Sequence, residues 1–423
     1  MKQDYKLEKL KNGLRAIFVP RAGSPAVSVM VLVAAGSEYE TKEINGLSHF
    51  LEHMCFKGTS NRPTTGQISQ ELDGFGAQYN AFTDQEYTGY WAKVQKTKFR
   101  DIFDLISDLY LNPLLPAAEI EKERGVIIEE MNMYEDMPNR RVHELFQNLL
   151  YGDQPAGWDI IGTKDVVRRV GRDDFVDYRT KRYTPQNTIV VVAGGFDIRL
   201  ARKMVQKSFG ILPARKSPQK PKTLSYSPKE KISIKYKKSD QTHLVLGVPG
   251  LNSKDPRRFA LEVGMEVLGG GMSSRLFYRI REELGAAYYI RAGASFSADH
   301  GSVEIWSGAD NKRVHQVVSV IAEEIKKLLN QKVGAKELQK AKDHLTGGLI
   351  LSLEAADNLA GFYAFQEMVS GNVLSPEEVV KKVQAVTPAQ VQAVLTSLFK
   401  EPLRLAVIGP WKEKKDFAKI LSA

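Results

Sequence analysis

The chain has 423 residues, 43% of them apolar and 26% charged, with 18 prolines, one cysteine and a formal charge of +10. That length exceeds what a single hydrophobic core ordinarily fills, so two or three domains are expected, and the balance of apolar and charged residues excludes a fibrous or extensively disordered protein. The lone Cys55 excludes an intrachain disulfide framework and agrees with a reducing compartment.

The opening MKQDYKLEKLKNGLRAIFVP alternates charged with apolar residues instead of placing a basic region before an apolar run. It therefore reads as a hairpin turned at Asn12-Gly13 and not as a secretory signal, so export is not expected and a cytoplasmic location is. AVSVMVLVAAG at 26–36 follows as a buried strand, far too short to span a bilayer, and the apolar stretch near 346–365 is broken by Glu354 and Asp357, so no membrane insertion is expected. A helix is predicted from about Leu47, another over 64–74, a second hairpin from Gln78 to Val94 turned near Thr83-Asp84, and long helices over 97–111 and 117–136. NTIVVVAGGF at 187–196 then reads as a late buried strand.

LPARKSPQKPKTLSYSPKEK at 212–231 carries four prolines and no helical or alternating apolar period, which marks an extended connector. Nine basic residues between 215 and 238 face Glu230 alone, so much of the positive excess sits there, in a solvated spacer, and no nucleic-acid face is expected. The connector divides the chain into a domain over 1–212, a basic proline-rich linker over 213–230 and a second domain over 231–423. Both halves run through strands, helices and a hairpin to a late strand, NTIVVVAGGF and LRLAVIGPW (403–411), each downstream of a Thr-Pro pair, Thr184-Pro185 and Thr387-Pro388. This weak similarity suggests duplication, and hairpins grouped with helices point to an α+β fold with mainly antiparallel sheets. The Gly269–Gly271 run follows a predicted helix and lacks the Gly-Lys-Ser of a phosphate loop.

The strongest chemical signal is His49-Phe50-Leu51-Glu52-His53 inside an apolar-periodic helix. Residues four apart share a helix face, so His49 and His53 can offer two imidazoles to one ion, with the Glu52 carboxylate beside it as a general base. A catalytic zinc needs a third protein ligand from another element. EIEKERGVIIEEMNMYED supplies Glu123, Glu129 and Glu130; the first and last share a face, Glu129 is rotated away by about 100°, and the roughly 10 Å of rise between Glu123 and Glu130 lets only one touch the metal. Cys55, about 200° round the helix from His53, reads as core. His143, His243, His300, His315 and His344 lack ligand spacing and read as structural.

HFLEHMCFKGT at 49–59, GAQYNAFTDQEYT at 76–88 and ERGVIIEEM at 123–131 closely resemble the consecutive motifs of the pitrilysin family of zinc metallopeptidases, the inverzincins. The likeness runs through both halves and is greatest to the small two-domain branch that includes the β subunit of the mitochondrial processing peptidase and its bacterial relatives. It implies His49, His53 and Glu130 as ligands of one Zn2+ per chain; 76 residues separate His53 from Glu130, close to the family's spacing. It also implies that Glu52 is the base and that Glu123 supports the site from beside the ligands. SSRLFYRIREELGAAYY at 273–289 resembles the family's arginine-tyrosine element, with Arg281 and Tyr288 holding the substrate and the carbonyl oxygen under attack; Tyr289 is one position away. Gln78–Thr83 resembles the strand that pairs with substrate, with Asn80 and Ala81 at the Asn-Ala positions. Phe75 and Ala286 depart from the family pattern without touching the chemistry.

The resemblance thus implies an endopeptidase acting on unfolded or short peptides added as an extra strand, built as two α+β domains facing like the halves of a clam. One chain carries both motif sets, so a homodimer is expected. The rival class is a non-catalytic scaffold or presenting subunit; such family members typically have damaged ligand motifs, and this chain keeps each one.

Overall fold

The computed structural model describes residues 5–415 and 417–418; the extreme ends of the two expected domains lie outside the described residues. The predicted first hairpin forms as β1 (Lys6–Lys9) and β2 (Arg15–Pro20), with Gly13 at φ +95° in the turn, a conformation that favours glycine. β3 (Ala26–Val33) is the expected buried strand, followed by helices α1 (Leu47–Cys55) and α2 (Thr65–Gly74), the latter opened by a Thr64–Gln67 capping box. The second hairpin is β4 (Gln78–Thr83) and β5 (Thr88–Gln95), and the long helices are α3 (Phe99–Leu111) and α4 (Ala117–Glu135). After α5 (Pro138–Tyr151), α6 (Lys164–Arg169) and α7 (Arg172–Arg182), β6 (Thr188–Gly194) is buried along its whole length, and α8 (Ile198–Phe209) closes the first half.

The second half begins with β7 (Ile232–Tyr236), β8 (Gln241–Pro249) and α9 (Arg258–Gly269). A π-helical turn, Phe277–Glu283, leads into β9 (Ala287–Phe296) and β10 (Gly301–Asp310). Helices α10 (Val314–Asn330), α11 (Ala335–Ser352), α12 (Ala356–Val369), α13 (Pro376–Gln384) and α14 (Pro388–Leu398) precede the buried β11 (Arg404–Gly409).

The strands form two mixed sheets ordered β1-β2-β6-β3-β5-β4 and β7-β11-β8-β10-β9. In the first, β2 and β6 are parallel while β6–β3, β3–β5 and β5–β4 are antiparallel. In the second, β7 and β11 are parallel while β11–β8, β8–β10 and β10–β9 are antiparallel. Apart from the extra β1, the two sheets share one order and one set of directions, a far firmer sign of duplication than the Thr-Pro pairs. Those pairs differ in what they start: Pro185 opens a single 3-10 turn, whereas Pro388 opens the eleven-residue α14.

The compact units are not contiguous in sequence. One comprises residues up to Met131, Asp159–Pro221 and Leu351–Ser375; the other comprises Asn132–Trp158, Lys222–Ile350 and the residues from Pro376. Helix α12, from the second half, packs in the first unit on β2, β3, β5 and β6. Apart from Gly361, its buried positions Ala356, Leu359, Ala360, Tyr363, Ala364 and Glu367 repeat at three- and four-residue spacing, making one stripe. Arg15–Glu367 (3.0 Å) and Lys93–Asp357 (2.9 Å) ion pairs flank it. Reciprocally, α5 from the first half packs in the second unit, where Val142, Phe146 and Leu150 join Val245, Ala406 and Ile408 in one core.

The basic connector is only partly the solvated spacer that its composition suggests. Lys220 is 11% exposed and pairs with buried Glu38 and, at 3.1 Å, Glu86, while Ser217 bonds Thr184 and Pro218 accepts from Arg182. Beyond the division at 221/222, Thr223 bonds Asp299 and Arg404 donates to the carbonyl of Tyr226. Charge composition alone could not separate Lys220 from its exposed neighbours, because its burial depends on two acids distant in sequence.

Candidate metal centre

The site begins with how α1 is held. Gly46 sits at its N-terminus with φ +101°, and a Cβ there would lie 2.5 Å from the carbonyl oxygen of Ile161, so both backbone conformation and space require glycine. Glycine brings no capping side chain, and the buried carboxylate of Glu40 supplies the acceptor: it takes hydrogen bonds from the backbone N–H of Gly46 (2.7 Å) and Ser48 (2.6 Å) and from the Asn45 amide (3.0 Å). A negative charge at a helix N-terminus is favourable, while burial pushes the Glu40 pKa up to about 7 against those hydrogen bonds. On the α1 face opposite the histidines, Cys55 is buried with its Sγ 3.3 Å from the Tyr90 hydroxyl, as expected of a core residue; burial raises its pKa to about 11.

His49 and His53 lie side by side, ring centroids 4.7 Å apart. Both direct Nε2 at the same oxygen of Glu130: Oε2 is 3.7 Å from His49 Nε2 and 3.6 Å from His53 Nε2, and the three ligand atoms fall within 4.8 Å of one another. Two ligands of a tetrahedral zinc with bonds of about 2.0–2.2 Å stand roughly 3.3–3.6 Å apart. Two imidazoles and one carboxylate at this spacing therefore fit a catalytic zinc, and such a three-ligand set leaves a fourth position for substrate or water.

Glu123, two turns earlier on α4, does something different. Its Oε1 is 2.9 Å from His53 Nδ1 and its Oε2 is 2.6 Å from Lys57 Nζ. A carboxylate only accepts, so His53 donates from Nδ1, the tautomer that would leave the Nε2 lone pair free for a metal ion. Burial pushes Glu123 upward, but the bonds from His53 and Lys57 outweigh it and hold its pKa below the ordinary carboxylate range. For His53 burial pulls the pKa down, and the Glu123 bond with the charges of Glu52, Glu130 and Glu123 reverses this to a net rise. Glu129 points to solvent, as its helical rotation requires.

Glu52 lies between His49 and His53 on α1, and its pKa is raised, mainly by burial, against a hydrogen bond from Thr83 and the His53 charge. β4 is the last strand of its sheet, with Gln78, Tyr79 and Asn80 exposed. The Ala81 N–H is accepted by the Asn80 side chain at 2.9 Å, which identifies it as a donor outside the ladder to β5. In the second unit Arg281 sits in the π-helical turn with its guanidinium 4.9 Å from the Phe277 ring centre and 5.8 Å from that of Tyr288. Tyr288 is 74% exposed, whereas Tyr289 is turned inward with its hydroxyl 2.9 Å from His243 Nδ1.

The structure thus assembles His49, Glu52, His53, Glu123 and Glu130 in the first unit, Asn80 and Ala81 on that unit's open strand, and Arg281 with Tyr288 in the second. Sequence reasoning passed over Glu40, Lys57 and Thr83. Glu40 had one usable signal, an acid shortly before a glycine that opens a helix; Lys57 and Thr83 lie inside the quoted motifs, but their partners Glu123 and Glu52 are set by tertiary packing.

The chain matches the family model described as Insulinase (Peptidase family M16) over residues 16–164 and the one described as Peptidase M16 inactive domain over 169–345. It is 34% identical to the uncharacterized zinc protease YmxG of Bacillus subtilis, across 95% of this chain and 97% of that protein. It is 32% identical to an uncharacterized zinc protease of Streptomyces coelicolor, across 96% and 90%. Its fold resembles the crystal structure of a protease from Helicobacter pylori, with a TM-score of 0.88 at 22% identity over 96% of this chain and 99% of that one. It also resembles a Pseudomonas fluorescens structure described as a peptidase M16 inactive domain, with a TM-score of 0.89 at 19% identity over 97% and 99%.

Proposed function

The chain belongs to peptidase family M16, the insulinase family, and from that premise we propose that it is a zinc-dependent endopeptidase cleaving unfolded or short peptides laid along β4. The observation that carries this reading is the convergence of His49 Nε2, His53 Nε2 and Glu130 Oε2 with Glu52 alongside. A single Zn2+ held there would act as a Lewis acid toward the peptide carbonyl and bring the pKa of water to about 7. Glu52, its pKa raised by burial, accepts the proton of the attacking water and returns it to the departing amine. Glu123 holds the His53 tautomer throughout. Main-chain donors and acceptors on β4, the Ala81 N–H among them, bind the peptide with weak dependence on its side chains. Arg281 and Tyr288 are assigned to substrate binding as the resemblance implies, both being hydrogen-bond donors suited to a carbonyl oxygen.

The test is cleavage of a random peptide mixture read by mass spectrometry. Zinc-loaded protein should cut, a chelator should abolish cutting, and added zinc should restore it; Glu52→Gln protein should bind one zinc per chain and leave the peptides whole. A protein that holds zinc and cuts nothing would establish the scaffold reading instead; the inactive-domain model matches residues 169–345, outside the proposed metal ligands. We further propose a homodimer in the bacterial cytoplasm. The dimer is checked by light scattering, where an obligate partner of different sequence would refute it. The relatives above are bacterial, and among the described residues no helix is long and apolar enough to cross a membrane.

A further inference from the structure

The proposed base, Glu52, is held by a residue from a different element. The Thr83 hydroxyl lies 2.6 Å from Glu52 Oε2. An ionised carboxylate has no proton to give, so Thr83 donates. Thr88, whose Oγ1 is 3.5 Å from that of Thr83, places its own proton on the carbonyl of Ala35 at 2.8 Å, which leaves the Thr83 proton for Glu52. Thr83 is also the last residue of β4, paired across the hairpin with Thr88.

A glutamate carboxylate turns about a terminal torsion with a broad, shallow profile, so an unheld base would present either oxygen over a range of angles. One short bond to a charged acceptor removes that freedom. We propose that Thr83 is a positioning residue for the general base: it occupies Oε2, leaves Oε1 for the proton of water, and ties the base to the strand along which the peptide lies. The proposal rests on the reading of Glu52 as base. It makes the strand β4 serve both binding and chemistry, since whatever steadies the end of β4 also steadies the orientation of Glu52.

Thr83→Val keeps the shape of the side chain and its β-branch, removes only the hydroxyl, and leaves the main chain of β4 free to pair. Thr83→Ser returns the hydroxyl. The valine variant should lose about 10- to 100-fold in kcat, the scale of a misoriented catalytic group, with KM and zinc content unchanged, and the serine variant should recover most of the loss. Peptide affinity, measured without turnover on the Glu52→Gln background, should be the same with and without Thr83→Val to within about twofold, because uniform binding is untouched. A valine variant with wild-type kcat beside an inactive Glu52→Gln protein would overturn the positioning role and leave the base assignment standing. A serine variant as impaired as valine, or a loss of peptide affinity matching the loss of kcat, would assign Thr83 to strand structure and overturn the proposal. Wild-type turnover by Glu52→Gln would remove the base itself and the proposal with it.

Discussion

Glu123 separates what spacing can tell from what it cannot. Its seven-residue distance from Glu130 puts both on one face of α4, and either could have been a ligand. The structure divides their work: Glu130 reaches both Nε2 atoms, while Glu123 is 8% exposed at its side chain and bridges His53 Nδ1 to Lys57. Such partners typically tune metal affinity by 10- to 100-fold, so Glu123→Ala should weaken zinc binding by about that factor while leaving the helical signal of the apoprotein intact. Competition against a chromophoric chelator measures it, and an unchanged zinc dissociation constant would contradict the bridging role. Glu130→Ala should be far more damaging in the same titration, because it would remove one of the three proposed ligands and not the support of one.

At the scale of elements, the useful property of β4 is that it is an edge. An edge strand offers main-chain groups outside its own ladder that another chain can complete, and the Ala81 N–H, bonded only to the neighbouring Asn80 side chain that a peptide carbonyl would displace, is such a group. Proline is tolerated on edge strands where the N–H faces away from the ladder. Ala81→Pro should therefore leave the melting temperature within a few degrees while raising KM for peptides by roughly tenfold, the cost of about one hydrogen bond to a bound chain. A normal KM in a well-folded Ala81→Pro protein would mean that the peptide does not pair there. Helix α1 shows the complementary case, an element whose placement depends on its entry. The αL backbone of Gly46 and the Glu40 carboxylate set its first turn, and with it the direction of His49 and His53.

For the whole molecule, the exchange of helices between halves and units has a direct consequence. A fragment ending at residue 212 lacks α12, and one beginning at 213 lacks α5, with its buried Val142, Phe146, Leu149 and Leu150. Burying four such side chains is worth roughly 6–12 kcal/mol, comparable with the about 5–15 kcal/mol that holds a typical domain folded. Neither fragment expressed alone should melt cooperatively, whereas the two co-expressed should purify together on a tag carried by one of them. A cooperative transition from the isolated 1–212 fragment would show that α12 is dispensable to the first unit.

What the sequence by itself determined is whatever repeats over a short distance: hairpins, helices, the two-histidine face of α1, and the shared face of Glu123 and Glu130, because backbone periodicity sets which residues are neighbours within one element. Resemblance then implied Glu130 as the third ligand. Only the tertiary structure decided that Glu123 holds a tautomer, that Thr83 meets Glu52, that Lys220 is buried, and that α5 and α12 each pack in the unit built mostly by the other half. Each of these joins residues far apart along the chain, and no local period records which distant side chain a packed core will bring alongside.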